Sequence, residues 1–182
     1  MNEVLLKKGY IELKTFSLDE ANKLYQLIDK NRVQIGEWLI WVDKIKSIED
    51  VEKMIQEYNE RRKKGEGINF GIWYQAKLIG VISFAYIDKD RRKAGIAYWL
   101  DSDYQGKGII TKSCKDLIEY GFNKLNLHRI EISCAEGNSK SRVVPERLGF
   151  TEEGIFRESE LIRGGKFVDN HYYALLKQDW EK

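Results

Sequence analysis

From Asn69 to Leu100 the sequence carries three consecutive runs rich in β-branched and aromatic residues, NFGIWY, LIGVISFAYI and AGIAYWL. Two short polar connections, QAK and DKDRRK, separate them. Runs of this kind between turn residues fit strands. Connections this short join antiparallel neighbours, because a parallel crossover needs a dozen or more residues. The chain must therefore build an antiparallel sheet near its middle.

The segments on either side have a helical period. Tyr10 to Thr15 reads as a short strand, and Ser17 with Glu20 forms a capping box for a helix with Ala21, Leu24, Tyr25 and Ile28 on its apolar face. Ser47 opens a second helix, with Val51, Met54, Ile55 and Tyr58 at i, i+3, i+4 and i+7, ending in the polar run RRKKGEG. After the three strands, Thr111 to Leu125 returns to helical spacing through Cys114, Leu117, Ile118 and Gly121. A strand at Arg129 to Cys134, a helix near Ser139 to Leu148 and two strands joined across Gly164 and Gly165 complete the order, the last as a two-residue hairpin. Pro145 falls inside the predicted helix and implies a short, bent one. The fold class is α/β of the α+β kind, a mixed, mostly antiparallel central sheet flanked by helices. With no linker or repeat in view, residues 1–182 form one domain.

Composition narrows the function. The chain is 42% hydrophobic, enough for a real core, and its net charge of +2 comes from interspersed acidic and basic residues, so the footprint of a nucleic-acid binder is missing. The opening MNEVLLKKGYIEL lacks a signal-type apolar run, and no stretch approaches the ~20 apolar residues of a membrane span. The expectation is a cytoplasmic protein that engages no membrane. Cys114 and Cys134 lack metal-ligand spacing and read as buried reduced thiols. His128 and His171 show no triad or metal partner spacing, and no metal site is expected.

The chemistry concentrates in YWLDSDYQGKGIIT, where a strand ends and glycines open a helix. Backbone N–H groups at a helix N-terminus bind anions, and glycine lets an anion approach without a Cβ in the way. The P-loop pattern fails: after Gly106 come Lys107, Gly108, Ile109, Ile110 and Thr111, where a second glycine followed by Lys and Ser/Thr should stand later. The dinucleotide GxGxxG pattern fails at Thr111.

The pattern that fits is Q/R-x-x-G-x-G/A, met by Gln105 and Gly108 and departed from at Ile110. Here the chain resembles the GNAT superfamily of acyl-CoA-dependent N-acetyltransferases. GNSKSRVVPERLGF, from Gly137 to Phe150, resembles that superfamily's second half, and the element order matches over nearly the whole chain. Within it, EWLIWVD, IGVISF, YWLDSDYQGKG and GIFRESELIRGGKFVDNHYYALL together resemble the RimJ/RimL branch of ribosomal-protein N-terminal acetyltransferases.

The resemblance implies acetyl-CoA as donor, with Gln105, Gly106, Lys107, Gly108, Ile109, Ile110, Thr111 and Asn138 holding the cofactor, and its pantetheine arm pairing beside the strand of Trp99 and Leu100. It implies Glu160 as general base and Ser141 as general acid to the departing sulfur. Each has a plainer reading beside it. Glu158 shares a face with Glu160 by simple alternation, Ser139 or Ser141 can serve as a helix cap, and Asn138 is an ordinary helix-entry residue. Trp38 and Trp41 are candidates to roof the acceptor site or to pin a loop to the core. Arg61 to Lys64 reads as a solvated helix end and receives no role. Cys134 ends a strand near the site, but direct amine attack on a thioester needs no cysteine nucleophile.

The expected acceptor is the N-terminal amine of a protein, ribosomal by the branch resemblance; an α-amine titrating near 8 is partly neutral at cellular pH. Two alternatives stand beside it, acetylation of a polyamine or other small amine, and a non-catalytic acyl-CoA-binding module. A homo-oligomer is compatible with all three.

Overall fold

The computed structural model describes residues 4–181. In chain order it contains β1 (Val4–Lys8), β2 (Ile11–Thr15), α1 (Ala21–Gly36), α2 (Ile48–Lys64), β3 (Ile68–Tyr74), β4 (Lys77–Asp88), β5 (Lys93–Leu100), α3 (Ile109–Asn123), β6 (Arg129–Ala135), α4 (Ser139–Arg147), β7 (Thr151–Ile162), β8 (Lys166–Leu176) and the short α5 (Lys177–Trp180). The eight strands form one sheet in the order β1-β2-β3-β4-β5-β6-β8-β7. All neighbours are antiparallel except β5 and β6. The expected mixed, mostly antiparallel sheet is present, preceded by a strand, β1, that the sequence reading did not anticipate.

Local signals place the helices. The Glu20 carboxylate accepts the Ser17 backbone N–H at 2.6 Å and opens a single 3-10 turn that leads into α1. Ser47 caps α2 reciprocally with Asp50, each side chain accepting the other's backbone N–H. Gly65, at φ 72°, ends α2 in a left-handed cap, with Arg61 to Lys64 in the last turn opposite the negative end of the dipole.

Helices cover both faces of the central strands, so β3 and most of β4 are buried on both sides. On one face, α1 and α2 pack Leu24, Ile28, Val51 and Ile55 against Trp73, Leu78 and Val81. On the other, α3 packs Cys114, Leu117, Ile118 and Phe122 against Phe70, Ile82, Phe84 and Ile130.

Two departures from regularity shape the site. The parallel β5–β6 ladder holds only three pairs, Lys93↔Arg129, Ala94↔Ile130 and Gly95↔Glu131, after which the strands separate. The β7–β8 register slips between Phe156 and Glu160, where Phe156 faces Asn170 and Glu160 faces Val168. Three residues, Arg157 to Ser159, thus stand against Asp169 alone. The β7–β8 connection also differs from a two-residue turn: Ile162 pairs with Lys166, so Arg163, Gly164 and Gly165 all belong to it.

Candidate active site

Where β5 and β6 part, a cleft of about 850 Å³ opens, walled by Tyr98, Trp99 and Leu100 on one side and by Ser133 and Cys134 on the other. Each of these strands is paired along its outer edge, β5 with β4 and β6 with β8. Their inner edges beyond Gly95 and Glu131 present backbone donors and acceptors to the cleft.

The glycine segment forms one end of the cleft. Asp101, fully buried, begins a 3-10 turn and accepts the Asp103 N–H, while Ser102 donates its N–H to Asn31 Oδ1 of α1 at 3.1 Å. Burial opposes the Asp101 charge, but the Lys30 ammonium, 2.8 Å away, together with the Asp103 N–H and Asn31, holds the carboxyl below its ordinary range. This anchorage fixes the entry to the turn.

Gly106 and Gly108 then take φ 74° and 71°, a left-handed conformation that side chains other than glycine adopt at a cost. A Cβ at either would meet open space. Gly108 precedes α3, whose first-turn amides have no intrahelical acceptor. Gln105, Ile109, Ile110 and Thr111 also line the cleft. Ile109 and Ile110 lean on the core on the α3 side of the sheet, so the bulk of Ile110 is accommodated there. The Lys107 ammonium, expected as a cofactor contact, donates to the Asp103 carbonyl at 2.8 Å and lies over the Tyr104 ring. Lys140 of α4 reaches across to Gln105 Oε1 at 3.2 Å.

The opposite wall carries a polar cluster. Asn138 is the N-cap of α4, its Oδ1 accepting the Ser141 N–H at 3.2 Å, so neither serine spends its hydroxyl on the cap. The Ser141 hydroxyl lies 3.3 Å from Cys134 Sγ and 3.4 Å from the Tyr98 hydroxyl. Burial raises the titration of both the Cys134 thiol and the Tyr98 phenol, so both stay neutral and protonated at physiological pH. Pro145 explains one of these contacts. It has no N–H to give the Ser141 carbonyl four residues earlier, and the Tyr98 hydroxyl donates to that carbonyl instead, at 2.9 Å.

Across from the glycine segment, Glu160 and Asn170 line the cleft together. Asn170, 3% exposed, donates from Nδ2 to Glu160 Oε2 at 3.0 Å. Burial raises the Glu160 titration above its ordinary range. Glu158 is separated from it by the register slip, which breaks the alternation expected to place the two on one face. Glu158 sits at φ 48°, its N–H bonded to Asp169 Oδ1, and it does not line the cleft.

Trp38 roofs the same end, close enough that a Cβ on Gly137 would lie 3.3 Å from its ring. Trp41, a candidate roof or loop pin, packs on the core formed with α1 and α2 and does not line the cleft. Arg163, in the β7–β8 turn, donates its N–H to the Glu37 carbonyl at 3.3 Å and pairs with Asp43, tying the turn to the segment between α1 and α2. His171 pairs with Glu152 at 2.7 Å, outside the cleft.

Tyr98, Asn170 and Arg163 are the site residues that sequence reading passed over. Tyr98 and Asn170 sit in strands where each reads as packing, and Arg163 reads as a turn residue; their partners are distant in the chain.

The geometry agrees with the comparisons. The model of the acetyltransferase (GNAT) domain matches residues 11–151. YdaF of Bacillus subtilis, provisionally named a ribosomal N-acetyltransferase, is 39% identical over 173 residues, 94% of each chain. The ribosomal-protein-serine acetyltransferase of Escherichia coli is 33% identical over 97% of this chain and 98% of its own. Among solved structures, RimL, a ribosomal alpha-N-protein acetyltransferase holding coenzyme A in a disulfide with one of its own cysteines, superimposes with a TM-score of 0.93 at 28% identity. It covers 97% of this chain and 99% of that one.

Proposed function

From the premise that this chain belongs to the GNAT acetyltransferase family, we propose that it transfers acetyl from acetyl-CoA to the N-terminal amine of a protein, a ribosomal protein being the acceptor class. One observation carries this reading. The cleft between β5 and β6 is lined both by an anion-seeking glycine turn and by a partly buried carboxylate, Glu160. A thioester placed along it would bridge the two.

The residues fit the donor. Open space beside Gly106 and Gly108, the α3 N-terminus and the free inner edge of β5 suit a pyrophosphate and an amide-bearing arm. Bound acetyl-CoA supplies an activated acyl group with a thiol leaving group. Gln105, Ile109, Ile110 and Thr111 border the pyrophosphate turn, Trp99 and Leu100 lie along the arm, and Asn138 sets the start of α4. Glu160 accepts a proton from the attacking amine, and burial raises its titration in the direction a base needs. The Ser141 hydroxyl, kept off the helix cap by Asn138, donates to the departing sulfur.

Protein acetylation is favoured over polyamine acetylation because only two carboxylates among the described residues, Glu37 and Glu160, line the cleft. A chain carrying several ammonium groups would call for more. A cytoplasmic setting follows from a ribosomal acceptor, and among the described residues no helix is long and apolar enough to cross a membrane. The test is turnover with acetyl-CoA on a panel of N-terminal peptides, polyamines and small amines, together with mass spectrometry of protein N-termini in cells with and without the gene. Peptide turnover and one missing acetylated N-terminus are expected. Acetyl-CoA binding without transfer to any member of the panel would overturn the enzyme reading.

A further inference from the structure

Asn170 is 3% exposed, lines the cleft, and uses its amide nitrogen but not its amide oxygen in hydrogen bonding among the described residues. Its Nδ2 donates to Glu160 Oε2 at 3.0 Å, while its Oδ1 is buried with no donor among the described residues in reach. The orientation follows from the partner. A carboxylate only accepts, so the amide must turn its nitrogen to Glu160 and its oxygen elsewhere. Buried carbonyl oxygens without a donor are uncommon and costly, and this one sits beside the candidate base.

The backbone explains how the two groups meet. Asn170 lies opposite Ala135 at the open end of β6 and opposite Phe156 on β7. The register slip after Phe156 carries Glu160 forward to face Val168, which sets the carboxylate against the Asn170 amide.

We propose that Asn170 Oδ1 receives one N–H of the acceptor amine while Glu160 receives the other, so that the site selects primary over secondary amines. This rests on the proposed acetyl transfer. As the amine attacks, the N–C bond forms and the C–S bond breaks with its electron pair leaving on sulfur. The nitrogen then carries two protons if the amine was primary. One passes to Glu160, the other stays on nitrogen as the amide hydrogen, held by Asn170, and the sulfur takes a proton from the Ser141 hydroxyl, which solvent restores as Glu160 releases the proton it took. A secondary amine has a single proton at this stage, which goes to Glu160 and leaves Asn170 unpartnered.

The test compares kcat/KM for one acceptor peptide with a primary N-terminal amine and for the same peptide with an N-methylated one, in the parent, Asn170→Leu and Asn170→Asp. The parent favours the primary amine. Asn170→Leu, similar in size, also removes the donor to Glu160 and slows both acceptors, but it lowers kcat/KM for the primary amine about tenfold more than for the N-methyl one, so the preference collapses. Asn170→Asp sets a second carboxyl oxygen against Glu160 and slows both acceptors, but it retains an acceptor oxygen and retains the preference. Acetyl-CoA affinity in both variants matches the parent's, which shows that the donor half of the site is intact.

A preference unchanged in Asn170→Leu, with both acceptors slowed equally, would assign Asn170 to packing and overturn the proposal alone. A parent that acetylates neither peptide would overturn the proposed function and this inference with it.

Discussion

Glu158 and Glu160 are chemically alike and two positions apart, yet of the two only Glu160 borders the cleft, and what separates them is a slip in strand register. Its surroundings offer burial and an amide donor, and burial is what raises its titration. Glu160→Gln is expected to lower kcat about a hundredfold or more, with acetyl-CoA affinity unchanged, as measured by steady-state kinetics and calorimetry. In the parent, kcat should fall as pH drops through the raised Glu160 titration, above the ordinary carboxylate range. Stability runs the other way. A carboxyl whose folded titration is raised contributes stability that is present below its unfolded value and lost as pH rises through the folded one. Glu160→Gln should therefore melt above the parent at neutral pH, with the gap closing as pH falls through the raised Glu160 titration and gone below the ordinary carboxylate range.

At the scale of elements, the α4 proline and the β5 tyrosine act as a pair. Pro145 leaves the Ser141 carbonyl without a helical donor, and Tyr98 supplies one at 2.9 Å, pinning the residue that also carries the candidate acid. Tyr98→Phe is expected to cost about 1 to 3 kcal/mol in chemical denaturation, because the carbonyl loses its donor. Adding Pro145→Ala restores an N–H, so the double variant should recover part of that loss, a coupling of about 1 kcal/mol in a double-mutant cycle. These elements also show what sequence makes legible. Ser17, Glu20, Ser47 and Gly65 mark helix ends through local hydrogen bonds, and the strands from Asn69 to Leu100 through composition and short turns. The glycine turn was legible because its conformation needs particular residues. β1 and the β7 slip were not, since strand pairing is settled by a partner strand elsewhere in the chain. Where Trp41 and Lys107 would lie was not legible either, since it depends on the core beside α1 and on the Asp103 carbonyl.

On the scale of the whole molecule, the sheet joins two halves along three residue pairs, and the cleft lies where they part. The β7–β8 turn crosses back to the first half through Arg163, which meets Asp43 and the Glu37 carbonyl beside the Trp38 roof. Arg163→Ala is expected to raise the acceptor KM about three- to tenfold and leave the acetyl-CoA KM unchanged. Because the ion pair is partly exposed, the loss of stability should stay within about 1 kcal/mol, read by thermal melting. The parting of β5 and β6 has one more consequence. Strand edges attract other chains, and proteins usually guard them with charge, proline or a covering element. Here two such edges are turned toward each other indoors, so their hydrogen-bonding capacity is open to a slender linear ligand and closed to a neighbouring protein.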